Sequence, residues 1–219
     1  ASRLAVAFGI VLLAMAISAV LTMSKLAGIE SNLEDMVLDN GVKIKLNNDM
    51  NDAVATVTRV VRSVILLPEK ADKDSEMLKI NKSREAYDKA WTALDKMPAS
   101  DEGKAMRAKI LQFRAAARPL NDKVIEMGLA GQTAEATTLL MKEAAPATNR
   151  WQDSIEENIL LQEANNSKDF AEAQADYFQA RNILIGSILL CLALALLMAW
   201  RVTRSLTGQL GAEPGEAAQ

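Results

Sequence analysis

The chain has 219 residues with 25 Lys and Arg against 28 Asp and Glu, and a net charge of −3 is too mild to imply nucleic acid as a partner. It has no histidine, and its single cysteine, Cys191, lies inside an apolar run; histidine-ligated zinc, Ser-His-Asp and Cys-His catalysis and intrachain disulfides are excluded by count. Half of the residues are hydrophobic but only 4% are aromatic, and Gly and Pro are sparse, which suits long helices and disfavours sheets.

Residues 4–23 read LAVAFGIVLLAMAISAVLTM, without a charge. At about 1.5 Å per residue such a helix crosses a hydrocarbon core of roughly 30 Å. Its length, and the lack of a clear small-x-small cleavage site, favour a retained span over a cleaved signal peptide. Residues 183–200, ILIGSILLCLALALLMAW, pass the same test. Arg3 precedes the first span, and Arg201 and Arg204 follow the second. Positive charge outside the pair at both ends puts both termini in the cytoplasm. Residues 24–182 are then expected outside, in the periplasm of a Gram-negative owner. The predicted division is a first transmembrane helix (1–23), an outer domain (24–182), a second transmembrane helix (183–200) and a cytoplasmic exit (201–219).

Between the spans, apolar residues recur at alternating steps of three and four. The first helix presents Leu46, Met50, Ala53, Val57, Val60, Val64 and Leu67 and stops at Pro68. The second presents Met77, Ile80, Tyr87, Trp91 and Leu94 and closes before Pro98. The third presents Met106, Ile110, Phe113, Ala117, Leu120, Val124 and Met127 and ends at Gly128 and Gly131. The fourth begins near Thr133, bends at or near Pro146, and carries Trp151, Ile155 and Ile159 towards the second span. This period on four segments joined by short turns predicts an all-α, membrane-anchored antiparallel four-helix bundle with two transmembrane helices. Helices continuous with the spans could carry movement to the cytoplasmic side.

The exit RVTRSLTGQLGAEPGEAAQ, the two spans and an outer bundle of this length resemble the sensory part of a methyl-accepting chemotaxis receptor. Its LTGQLGAEPGEAAQ stretch resembles the opening of the HAMP relay module. The run RPLNDKVIEMGLAGQTAEATTLLMKEAAPA is similar to the four-helix-bundle ligand-binding family, whose third turn carries a Gly and then an EA pair, here Gly131 and Glu135-Ala136. The resemblance implies a homodimer that detects small molecules and controls a cytoplasmic kinase and coupling protein through parts absent here. The chain is accordingly read as the leading fragment of a longer receptor. The motifs are shared by sensors of histidine kinases and nucleotide cyclases, so those outputs stay open, as does a scaffold that binds no small ligand.

Family analogy places ligands in the outer half of the bundle. Helical rise puts Arg84 about 20 Å below the outer turns, Tyr87 about 24 Å, Arg118 about 15 Å, Arg114 about 21 Å and Arg107 about 31 Å. Arg62 and Arg59 lie about 9 and 13 Å down. Arg84 occupies an apolar register position between Ile80 and Tyr87, where a charge is costly unless paired. Guanidinium forks suit carboxylates. The expected ligand is therefore a small di- or tricarboxylate held by Arg84, Arg107 and Arg114, with Tyr87 and Thr56 or Thr58 completing the hydrogen bonds. Arg118 belongs to the stripe of Arg107 and Arg114, and Arg59 and Arg62, off the seam, suit either a dimer interface with a second ligand site or plain exposure to solvent. The alternatives are an internal Asp or Glu partner for Arg84 and a solvated face for the stripe. Trp91 and Trp151 are expected in the core. With neither a Ser/Lys pair nor a glycine-rich phosphate loop, no catalytic residues, metal or cofactor are expected.

Overall fold

The computed structural model describes residues 2–210, so the HAMP-like run from Gly211 onward lies outside the described residues. Six α-helices follow in order: α1 (Ser2–Glu34), α2 (Gly41–Leu66), α3 (Lys70–Lys96), α4 (Asp101–Leu129), α5 (Thr133–Leu139) and α6 (Ala145–Leu210). Short π-helical turns, Asp35–Asn40 and Leu140–Ala144, join α1 to α2 and α5 to α6. Among the described residues there is no strand. The fold is the all-α four-helix bundle that the apolar periodicity predicts, with α5, its π turn and the first part of α6 together forming the fourth bundle helix.

Local chemistry explains most boundaries. Leu67 is extended ahead of Pro68, where a preceding residue avoids the helical region. The Ser100 hydroxyl caps α4 by accepting from the Gly103 amide at 3.1 Å, and Asp101 and Glu102 follow in the positive first turn. Gly131 turns the chain after α4 with φ of 76°, a conformation unstrained only for glycine. Pro119 sits inside α4, where sequence periodicity alone reads through it; it and Ala115, whose carbonyl it leaves without a donor, both face outward.

The two π turns are the departure from four plain helices. Pro146 has no amide hydrogen and crowds the carbonyl four residues back. The helix widens just before it, and the Ala145 amide reaches the Leu140 carbonyl instead. The bend expected at Pro146 is thus a widened turn. At the other π turn the Gly41 amide reaches Met36 in the same way, and a Cβ on Gly41 would stand only 3.0 Å from that carbonyl oxygen.

The chain divides into two compact units, residues 34–169 and a unit formed by residues 1–33 and 170–219. In the second of these, Ser18 and Thr22 of α1 and Ala173 and Ala180 of α6 are buried, and Lys25 pairs with Asp176 at 2.8 Å. The spans otherwise show apolar surface: Leu12, Leu13, Val20, Leu189, Leu192 and Leu196 are all exposed, as lipid-facing residues are.

The bundle unit holds two apolar clusters. One joins Val60, Val61, Val64, Ile80, Val124 and Leu140 near the α2–α3 turn; the other joins Met50, Val54, Tyr87, Leu94, Ile110 and Trp151. Burial of each large aliphatic side chain is worth about 1.5–3 kcal/mol. Polar links thread these clusters. The Asn121 amide donates to Thr148 at 2.8 Å. Gln162 donates to Asn158 at 3.3 Å, Asn158 to Asn47 at 3.0 Å, and Asn47 to the Lys43 carbonyl at 2.7 Å, with all three amide side chains buried. Because each member bonds the next, truncating one removes a partner from its neighbours. Asn158→Ala should cost about 1–3 kcal/mol. It should lower the melting temperature of the detergent-solubilised chain by several degrees, read by far-ultraviolet circular dichroism, whereas Ser167→Ala on the exposed surface should not move it.

Candidate functional site

Tyr87 lies in the buried seam of α3, only 3% exposed. Its hydroxyl accepts a hydrogen bond from the Trp151 indole at 3.1 Å, and the two rings meet edge to face with centroids 5.0 Å apart. The Arg114 guanidinium stacks over the outer face of the same ring, 4.9 Å from its centroid. Arg114 also donates to Asp88 at 2.5 Å, and Arg118 reaches Asp88 at 3.7 Å. Arg84 donates to Asp122. Arg84 and Asp88 stand one turn apart on α3, and Arg118 and Asp122 one turn apart on α4. Antiparallel packing therefore pairs the basic end of each couple with the acidic end of the other.

This layer holds three guanidiniums and two carboxylates, leaving a surplus positive charge that arginine cannot shed by deprotonation. Both aspartates are about half exposed, at 48% and 49% of their side chains. Ion pairs so open to water are worth about 0–1 kcal/mol, so a competing carboxylate can replace them at small cost. A cleft opens between Tyr87, Arg84, Arg118, Val57, Asn121 and Trp151. Its enclosed part is about 30 Å³, room for one or two water molecules. Any larger guest has to enter from the solvent side and swing the arginines off their aspartates.

The expected site residues separate into groups. Arg84, Tyr87, Arg114 and Arg118 share the layer just described. Arg84 is half-buried beside the seam, with the internal acidic partner that was the alternative expectation for it. Arg107 stands apart: its guanidinium donates to the Met97 carbonyl at 2.9 Å and to those of Asp95 and Pro98 at 3.4 Å, at the α3–α4 turn. The negative C-terminal end of α3 draws it there. The joint grip of Arg84, Arg107 and Arg114 on one ligand is thus corrected to a layer without Arg107. Thr58 bonds back to the Val54 carbonyl of its own helix at 2.9 Å, as interior helical threonines do, and Thr56 lines a shallow groove between α2 and α3. Neither reaches the Tyr87 cleft. Arg59 and Arg62 are exposed on α2. Trp151 is in the core and Trp91 packs half-buried against it.

Asp88 and Asp122 were missing from the sequence reading. The signal was present as basic-to-acidic steps of four, Arg84–Asp88 and Arg118–Asp122, which on antiparallel neighbours can pair crosswise.

Two helices carry apolar stretches long enough to cross a membrane, and a helical bundle with a charged cleft lies between them in sequence. That arrangement fits a membrane-embedded receptor. Residues 1–177 match the family described as a four helix bundle sensory module for signal transduction, and the chain belongs to that family, the sensory module of methyl-accepting chemotaxis proteins. No curated protein matches the chain. The family is a signal-transduction module and not an enzymatic domain.

Burial pushes the Tyr87 pKa up to about 12, against smaller opposing effects of the Trp151 hydrogen bond and Arg114. The raised value means that folding favours the neutral phenol. Its stabilising contribution is complete below pH 10 and is lost as pH rises from about 10 to 12. In a chain carrying Tyr177→Phe, phenolate absorbance at alkaline pH should therefore appear near pH 12 while the bundle is folded and near the ordinary value of about 10 after denaturation.

Proposed function

We propose that this sensory module binds a small di- or tricarboxylate outside the membrane, in the layer formed by Arg84, Arg114, Arg118 and Tyr87, and relays binding as a helix displacement through the second span. The observation that carries the reading is the surplus of guanidinium over carboxylate around a buried phenol whose own proton meets no acceptor among the described residues. An incoming carboxylate replaces Asp88 on Arg114 and Arg118, and a second displaces Asp122 from Arg84. The Tyr87 hydroxyl, neutral at every physiological pH, donates to one of the ligand oxygens.

Tyr87 is tied to Trp151 of α6, so a ligand that pulls on the phenol acts directly on the helix that leads into the second span. A shift between two packings needs a differential affinity of only a few kcal/mol. The module works as a homodimer, with Arg59 and Arg62 of α2 available to the partner surface. It controls a cytoplasmic kinase and its coupling protein through segments beyond the described residues. Flanking Arg3, Arg201 and Arg204 favour cytoplasmic termini and a periplasmic bundle in a bacterial inner membrane. The module has no catalytic role and takes no cofactor.

Malate and citrate titrated into the full chain in detergent should raise its melting temperature according to RT ln(1 + [L]/Kd). Arg114→Ala should weaken binding by about tenfold or more, the loss of one charge-assisted pair. Asp88→Asn, which removes the competing internal carboxylate, should strengthen it. Equal affinity in both variants and the parent chain contradicts the site.

A further inference from the structure

The bundle contains a second, quite different cavity that the Tyr87 layer does not use. It lies where the π turn ahead of α2, the α3–α4 turn and α6 come together, and it encloses about 150 Å³. Its walls are polar for the most part. Asp39 and Asn40 come from the π turn and Lys43 from α2, Ser100 from the α3–α4 turn, Arg107 from the start of α4, and Asn158, Gln162 and Asn165 from α6.

Arg107 is the decisive wall. It is only 9% exposed, and among the described residues no carboxylate pairs with it. Its three hydrogen bonds go to backbone carbonyls, two from Nη1 and one from Nη2. A guanidinium has five N–H groups in a rigid fork. That leaves Nε–H and one Nη2–H, and a guanidinium carries Nε–H and an Nη2–H together on its side-on edge. That edge grips a carboxylate with two parallel hydrogen bonds. Burial pulls the Arg107 pKa down against the opposing pull of Asp95 and Asp39, the expected cost of a charge held out of water.

The rest of the wall sets the size and polarity of the guest. Lys43 is paired with Asp39 at 2.5 Å and Asn40 donates to Asp169 at 2.9 Å, so Arg107 is the cation of the wall that has no carboxylate in direct contact, with Asp39 and Asp95 acting on it from further off. Gln162 spends one N–H on Asn158 and keeps its carbonyl oxygen and second N–H for other partners. A cavity of about 150 Å³ takes a molecule of roughly six heavy atoms, the size of a benzene ring.

We propose that this cavity is a second ligand site, independent of the Tyr87 layer, that takes a small singly charged 2-oxo or 2-hydroxy carboxylate. The carboxylate sits on the Nε and Nη2 edge of Arg107, and the oxygen at C2 faces Gln162 and Ser100. The site is also placed to be felt: Asp39 and Asn40 belong to the π turn Asp35–Asn40, and π turns inserted in α-helices recur at functional sites. A guest held against that turn favours the widened register over the plain α-helical one.

The test is isothermal titration of pyruvate into the full chain in detergent, with acetate and citrate as parallel arms. Pyruvate should bind, acetate should bind more weakly for want of the second oxygen, and citrate should leave the pyruvate isotherm unchanged in an Arg114→Ala chain. Arg107→Gln should weaken pyruvate binding by at least about tenfold, and Asn165→Leu, which fills the cavity from α6 without touching Arg107, should do the same. Should Arg107→Gln fail to fold, Asn165→Leu decides. Absence of pyruvate binding to the parent chain up to about 10 mM overturns the proposal, as does parental affinity in Asn165→Leu. Loss of pyruvate binding in Arg114→Ala assigns pyruvate to the Tyr87 layer and overturns it as well, while loss of malate binding there bears only on that layer.

Discussion

A buried polar contact marks the height at which α3 docks on the fourth bundle helix, the edge-to-face pairing of Tyr87 with Trp151 and the hydrogen bond between them. Aliphatic seams tolerate sliding by a turn, because one Val or Leu replaces another at little cost. A phenol and an indole that satisfy each other in a dry core do not, since a slip leaves both polar groups unpaired. With that height set, Arg84 and Asp88 meet Asp122 and Arg118 on α4, and Arg114 has the Tyr87 face to lie on.

Charge then does what packing alone cannot. The arginine layer is placed at the edge of the core, where its aspartate partners remain half in water. Such pairs add little stability. They do keep guanidiniums oriented and desolvated on one side, the arrangement on which the proposed carboxylate site rests. The chain of Gln162, Asn158 and Asn47 behaves differently: it is buried and linked across the two helices, so it favours particular faces of α2 and α6 meeting. Ion pairs open to water stand at one level of the bundle and buried amides at another.

Much of the bundle was legible in the sequence because its signals are local. The three-and-four spacing named Met50, Ile80, Leu94, Ile110, Val124 and Ile155 as seam residues or their neighbours, and Pro68, Pro98 and Gly131 marked the turns. The widened turns were harder to read. Pro146 announced a disturbance but not its form, and nothing in Asp35–Asn40 except the glycine that follows betrays a π turn. Depth counting along ideal helices put Arg84, Arg114 and Arg118 at nearby levels and Arg107 about 10 Å further down. What it could not supply was the tertiary pull on each side chain: the exposed carbonyls ending α3 claim Arg107, and the α3–α4 register assigns Asp88 and Asp122 to the others. Thr58 was lost to the site for a reason that is local after all, its bond to the carbonyl one turn back.

The central claim is that a carboxylate guest engages the phenol that holds Trp151. The chain has three tryptophans, Trp91, Trp151 and Trp200, and their indole N–H resonances in a nitrogen-15-labelled, detergent-solubilised sample report on each separately. During a malate titration the Trp151 signal should move progressively and saturate while that of Trp200, in the second span, moves less or not at all. A Trp151 resonance that stays in place while malate saturates the protein contradicts the account.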